Sequence, residues 1–150
     1  MDLGALYEEV ILDHNRSPRN WGEIPDARHV DGRNPLCGDR ISLSLKVDGD
    51  VITDIRFTGE GCAISKASAS MMTQAIKGKT RAEAEKLSEG FRDLVTGRSA
   101  QPVPDKSLGS LRAFAGVARF PTRVKCATMA WHALNEAIGS GLEAAEKGEG

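Results

Sequence analysis

The sequence predicts an α+β fold, with a small antiparallel sheet of three strands, including one hairpin, and helices packed on one face. Apolar and polar residues alternate over 41–47 and again over 54–58, which is typical of half-buried strands. Asp48 and Gly49 between them supply the residues of a tight hairpin turn. Helical periodicity precedes this hairpin and dominates the chain after it. Strands followed by a run of helices indicate an α+β layer.

The elements before the hairpin are one helix and one irregular stretch. Residues 3–14 place apolar side chains at helical spacing, and the polar, Pro- and Gly-containing segment 17–22 ends the pattern. Residues 23–36 have little periodicity, so we expect a loop that contains one short edge strand.

Four helices are expected after the hairpin. The first begins near Cys62 and runs to Gly78, and the second opens with a capping box, in which Thr80 and Glu83 satisfy each other's backbone N–H groups. Residues 97–106 form a polar connector, and a shorter helix extends to about residue 118. The last helix has Thr122 as its predicted N-cap, followed by an apolar stripe from Val124 to Ile138.

Size and composition favour one soluble domain over residues 1–150. The chain has 40% hydrophobic and 27% charged residues, ordinary values for a globular protein. A net charge of -1 argues against nucleic-acid binding through a basic surface. No apolar run approaches the length of a membrane span, and the N-terminus lacks a secretion signal. The three cysteines do not suggest a disulfide framework, so we expect a cytoplasmic location.

The three cysteines and one aspartate are the candidate metal ligands. Cys37, Cys62 and Cys126 are flanked by Gly or Ala, which leaves room around each sulfur. Asp39 lies two residues after Cys37, so in an extended segment both side chains point the same way. Three thiolates and a carboxylate form a four-ligand set that suits zinc.

Two further features support a charged, deprotonated site. Cys62 and Cys126 fall near the first turns of predicted helices, where the positive helix end favours a thiolate. Zinc with these four ligands would carry a net charge of about -2, which calls for nearby cations. The candidates for that role are Arg40, Lys66 and Arg123.

The residues alone leave a less specific interpretation open. Free cysteine is often simply buried as a small hydrophobic residue, and this chain has no paired Cys-x-x-Cys element. The three histidines do not strengthen a rival site. His14 and His29 lie near turn signals, and His132 lies on a different helix face from Cys126, so all three are expected to be solvated or structural.

The cysteine motifs together resemble those of the U-type iron–sulfur cluster assembly family. Its branches include SufU, IscU and the NifU N-terminal domain. The matching stretches are NPLCGD at 34–39, GEGCAIS at 59–65 and RVKCA at 123–127. The resemblance covers nearly the whole chain and is strongest to the SufU branch of zinc-dependent sulfur-transfer proteins. It implies a fold like that of SufE and IscU.

The resemblance also implies an activity, a cofactor and partners. Zinc would be held by Cys37, Asp39, Cys62 and Cys126. A SufS-type, pyridoxal-phosphate-dependent cysteine desulfurase would pass persulfide sulfur to Cys37, the catalytic residue of a sulfurtransferase. A downstream iron–sulfur assembly scaffold would be a further partner.

Two departures separate the chain from the IscU scaffold branch. That branch carries a histidine just before its last cysteine, where this chain has Lys125. The segment between Cys62 and Cys126 is also longer, with residues around 97–118 as the insertion, whose role the sequence does not indicate. The alternative is a non-enzymatic scaffold that assembles a [2Fe–2S] cluster on the same ligands. A third interpretation, a purely structural zinc, implies no stimulation of any desulfurase.

Overall fold

The computed structural model describes residues 3–34, 38–96, 111–114, 117 and 120–140. Its helices and strands, in chain order, are α1 (Leu3–Arg16), β1 (Arg28–Asn34), β2 (Asp39–Asp48), β3 (Val51–Glu60), α2 (Ala63–Ile76), α3 (Arg81–Thr96) and α4 (Pro121–Asn135), followed by a π-helical turn (Glu136–Ser140). None of the described helices is both long and apolar enough to cross a membrane.

The sheet has the predicted composition of three antiparallel strands in the order β1-β2-β3. The predicted edge strand is β1, which pairs with β2 along its whole length. The predicted hairpin joins β2 to β3, and Gly49 adopts a φ of +63° in its turn, a conformation that suits glycine. The α+β architecture is therefore confirmed.

Helices cover one face of this sheet, as expected from the alternation in β2. Ile41, Leu43 and Leu45 are buried on that face, and helices α2 and α4 pack against the strands. Deeper in the helical layer, Phe91 stacks on Trp131 with ring centroids 4.7 Å apart. This packing places the first turn of α2 and the N-terminal half of α4 beside the start of β2.

The helix boundaries agree with the sequence except at one N-terminus. The capping box is confirmed, because Thr80 N–H donates to Glu83 Oε1 at 3.0 Å and Glu83 N–H to Thr80 Oγ1 at 3.1 Å. Thr122 is not the N-cap of α4, however. Phe120 occupies that position and Pro121 opens the helix, because proline lacks an N–H and its fixed φ suits the first helical residue.

The predicted helix up to about residue 118 is described only in part. Residues 111–114 and 117 have 3₁₀-helical backbone, and Leu111, Phe114 and Val117 are buried. The predicted connector at 97–106 and most of the predicted insertion lie outside the described residues.

Candidate metal centre

Three of the four predicted ligands come together at one end of the sheet. Asp39 is the first residue of β2, Cys62 is the N-cap of α2, and Cys126 lies in α4. A carboxylate oxygen and the two sulfurs all lie within 4.8 Å of one another. Cys37, the fourth predicted ligand and the catalytic candidate, lies outside the described residues, so its role stays a prediction.

Direct contacts fix Asp39 against Cys62. The Cys62 backbone N–H donates to Asp39 Oδ1 at 3.1 Å, and the Cys62 thiol donates to Asp39 Oδ2 at 3.5 Å. Gly61 makes this approach possible, because a Cβ at that position would lie 2.6 Å from Asp39 Oδ1. Cys62 itself has the extended backbone of an N-cap, with φ -72° and ψ 168°.

The donor set fits a zinc ion on geometry and chemistry. With bonds of about 2.3 Å to sulfur and 2.0 Å to oxygen, a tetrahedral site separates these two donors by about 3.5 Å. The Cys62 Sγ–Asp39 Oδ2 distance is also 3.5 Å. Two sulfurs beside a carboxylate are donors that zinc binds well.

The three groups differ in their access to solvent. Asp39 is 3% exposed and Cys126 is 7% exposed, whereas Cys62 is exposed. The group therefore opens to solvent on the side of Cys62. A reacting group from another molecule would approach from that side.

Cys126 lies deeper in its helix than the sequence predicted. Because α4 begins at Pro121, Cys126 is the sixth residue and lies in the second turn. The field of a helix N-terminus falls off within the first turn, so the predicted effect of the helix end does not extend to Cys126.

A buried hydroxyl connects the two helices that carry the cysteines. Ser68 of α2 donates to the carbonyl of Ala127, next to Cys126, at 2.6 Å and accepts from the Trp131 indole at 3.2 Å. Near Cys62, the Ser65 hydroxyl donates to the Cys62 carbonyl at 3.0 Å. Sequence reasoning missed both serines as site residues. The available signal was the serine- and alanine-rich run from residue 63 to 70.

The three predicted cations make their contacts elsewhere in this structure. Arg40 forms an ion pair with Glu60 at 2.7 Å. The Lys66 ammonium lies 5.3 Å from the centroid of the Trp21 ring, and the Arg123 guanidinium lies over the Phe120 ring at 4.5 Å. Their part in balancing the charge of a metal site stays a prediction.

No histidine belongs to the donor group found among the described residues. His14 is buried, with its Nδ1 2.7 Å from Ser70 Oγ. Burial, followed by the nearby charge of Arg19, holds the pKa of His14 below its ordinary value. His29 Nδ1 lies 3.1 Å from Ser44 Oγ, and His132 is exposed on α4.

Comparison with known proteins identifies the family. The model of the NifU-like N-terminal domain matches residues 6–127, a range that contains the cysteine motifs. The chain belongs to the NifU-like N-terminal domain family. The resemblance inferred from the motifs is therefore confirmed.

Relatives within this family carry two different functional names. The chain is 50% identical to the zinc-dependent sulfurtransferase SufU of Bacillus subtilis over 137 residues, which cover 91% of this chain and 92% of the relative. It is 47% identical to the iron–sulfur cluster assembly scaffold protein IscU of Streptococcus pyogenes over 136 residues, or 91% of this chain and 84% of the relative.

The fold is also shared with solved structures of the family. One is a protein of Fervidobacterium islandicum described as a candidate iron–sulfur cluster assembly scaffold for the SUF system. It aligns with a TM-score of 0.82 and 35% identity, covering 89% of this chain and 97% of the other.

Proposed function

We propose that this protein is a single-domain, cytoplasmic, zinc-dependent sulfurtransferase in iron–sulfur cluster biogenesis. It would accept persulfide sulfur from a pyridoxal-phosphate-dependent cysteine desulfurase onto Cys37 and deliver it to a downstream assembly scaffold. The observation that carries this proposal is the convergence of Asp39, Cys62 and Cys126 around one point open to solvent. The 50% identity to the Bacillus sulfurtransferase supports it.

The metal would be held by these three residues and Cys37. Cys37 is two residues before Asp39, and two residues of chain span at most about 7 Å. Zinc bound there would keep its cysteine ligands as thiolates at neutral pH.

The transfer itself is an exchange between a thiolate and a persulfide. The Cys37 thiolate attacks the outer sulfur of the persulfide on the desulfurase cysteine. A bond forms between Cys37 Sγ and that sulfur, the sulfur–sulfur bond of the donor breaks, and the desulfurase cysteine leaves as a thiolate. The sulfane sulfur and its proton move to Cys37, with no net oxidation or reduction. A thiol reductant then releases the sulfur as sulfide.

A desulfurase assay tests this proposal. We expect Cys37→Ser to remove nearly all of the stimulation of sulfide release from cysteine, with the desulfurase and a reductant present. Thr53→Ala is the control, because the Thr53 hydroxyl bonds to the Lys46 carbonyl beside the hairpin turn, at the other end of the strands from the metal centre. Full turnover with Cys37→Ser would contradict the assignment of Cys37.

The alternative is a scaffold that assembles a [2Fe–2S] cluster on the same ligands, and the names of the Streptococcus and Fervidobacterium relatives favour it. Anaerobic reconstitution with iron and sulfide separates the two functions. A stable coloured cluster that moves to an apo-acceptor supports the scaffold, whereas tight binding of colourless zinc supports sulfur transfer.

A further inference from the structure

Trp21 is held on the surface by an unusual backbone. Its side chain is 44% exposed. Its neighbours Asn20 and Gly22 both have positive φ angles, of 56° and 135°. Asn20 is the one residue other than glycine with a positive φ among the described residues. Such conformations are uncommon outside glycine and persist where the surrounding structure fixes them.

Hydrogen bonds on both sides of Trp21 fix this conformation. Gly22 N–H donates to the Phe57 carbonyl at 2.9 Å, and Phe57 N–H donates to the Asn20 carbonyl at 3.0 Å. The Asn20 side-chain amide donates to Thr73 Oγ1 at 3.1 Å. The indole itself rests edge-on against the Phe57 ring, with centroids 5.3 Å apart. The backbone that carries the indole is therefore held in place before any partner arrives.

Lys66 connects Trp21 to the helix that begins at the candidate metal centre. Lys66, whose ammonium lies 5.3 Å from the indole centroid, is one helical turn after the exposed Cys62 on α2. Trp21 also borders an open groove of about 410 Å³ on the outer face of the sheet, which includes Arg33, Arg40 and Glu60. The strands that form this groove end at the metal centre.

The groove includes charges of both signs, Asp31 and Glu60 beside Arg33 and Arg40, and Arg33 is the residue that a partner carboxylate would pair with. Arg33 faces Arg40 directly across β1 and β2, and opposed like charges destabilise a sheet. Arg40 is paired with Glu60, but Arg33 forms no ion pair within the described part of the chain. A carboxylate from a partner would neutralise Arg33, and aliphatic groups beside it would cover the indole.

We propose that Trp21 is a preformed anchor for the protein that donates sulfur to this site. This inference rests on the proposed function, because a donor that delivers persulfide sulfur must cover the open side at Cys62. Rigid, exposed tryptophans often dominate the energy of a protein interface, since little entropy is lost when they are buried. The donor's matching surface carries a carboxylate for Arg33 and an apolar recess for the indole.

A purely structural role for Trp21 has a different signature. As a cover over Phe57, Trp21 would affect the stability of the fold and leave binding unchanged. The experiments therefore measure binding separately from stability and zinc content.

Fluorine NMR provides a direct readout, since the chain contains two tryptophans. Trp21 is exposed and Trp131 is 2% exposed. In protein labelled with 5-fluorotryptophan, Trp21→Phe identifies the Trp21 signal. We expect unlabelled SufS-type desulfurase to shift that signal and to protect it from broadening by a soluble paramagnetic agent. The Trp131 signal should keep its position. A Trp21 signal that stays solvent-accessible in the saturated complex would overturn the proposal. A shift that depends only on the concentration of this protein would also overturn the proposal. It would indicate that a second copy of the chain covers Trp21.

Steady-state kinetics measure the energetic weight of the anchor. With the protein varied as substrate of the desulfurase, we expect Trp21→Ala to raise KM by about tenfold or more and to leave kcat and zinc content unchanged. Val51→Ala is the control, because Val51 is an exposed apolar residue at the far end of β3. A KM within about twofold of the wild type for Trp21→Ala would refute the anchor, even if the variant is less stable. If the wild type fails to stimulate the enzyme at all, the proposed function falls, and this partner falls with it.

Discussion

The Ser68 hydroxyl, which joins α2 to α4, is expected to make a measurable contribution to the stability of the fold. Ser68 is fully buried and bonds both the Ala127 carbonyl and the Trp131 indole N–H. In Ser68→Ala the indole N–H stays buried without an acceptor, which costs about 1–3 kcal/mol. The Ala127 carbonyl lies inside a helix and keeps its backbone partner, so losing the Ser68 hydroxyl costs less free energy at the carbonyl than at the indole. We therefore expect a loss of about 2 kcal/mol in the free energy of unfolding.

Urea unfolding of the metal-free protein measures this loss, with Ser42→Ala as the control. Ser42 makes its hydroxyl bond to Asp31 at the surface, so its removal should change the free energy by less than about 0.5 kcal/mol. In thermal unfolding, 2 kcal/mol corresponds to a decrease in Tm of about 4–8 °C for a chain of this size.

A double-mutant cycle isolates the indole contribution. In a Trp131→Phe background there is no N–H to leave unpaired, so Ser68→Ala should cost at least about 1 kcal/mol less than in the wild type. Equal costs in the two backgrounds, or a wild-type cost below about 0.5 kcal/mol, would refute the reasoning.

Two further predictions concern the metal centre and α1. Gly61→Ala should lower zinc affinity by about tenfold or more, because the new Cβ would lie 2.6 Å from Asp39 Oδ1. Gly78→Ala is the control, because Gly78 also has a positive φ, of 86°, but has open space around it. Competition with a zinc chelator should show unchanged zinc affinity for this variant. Equal losses of affinity in the two variants would contradict the steric argument. Burial lowers the pKa of His14 below its ordinary value of 6.5. The unfolded chain then binds the extra proton, and stability falls as the pH drops below 6.5. His14→Gln should flatten this decline in urea titrations, and an unchanged slope would exclude His14 as its source.

Local patterns accounted for most of the fold. The hairpin needs only the alternation in its strands and the Asp48-Gly49 turn, both of which are local in sequence. The capping box at Thr80 is equally local. The predicted N-cap of α4 was wrong because two helix-start signals are adjacent in the sequence. Pro121 opens the helix, so Thr122 lies inside its first turn.

The candidate site was predictable in its residue types but not in its contacts. Three scattered cysteines and Asp39 suggested a soft-metal site, and the motifs suggested the family. The hydrogen bond from the Cys62 N–H to Asp39 forms because the start of β2 packs against the start of α2. Local sequence patterns do not predict such tertiary contacts. The exposure of Trp21 and the Ser68 bond between the helices depend on packing in the same way.

X-ray absorption at the zinc edge tests the central claim most directly. For zinc in the purified wild-type protein, we expect three sulfur neighbours at about 2.3 Å and one oxygen at about 2.0 Å. Cys37→Ser should retain two sulfurs, from Cys62 and Cys126, if it still binds zinc. A spectrum with only nitrogen and oxygen neighbours, or three sulfurs unchanged in Cys37→Ser, would contradict the four-ligand site.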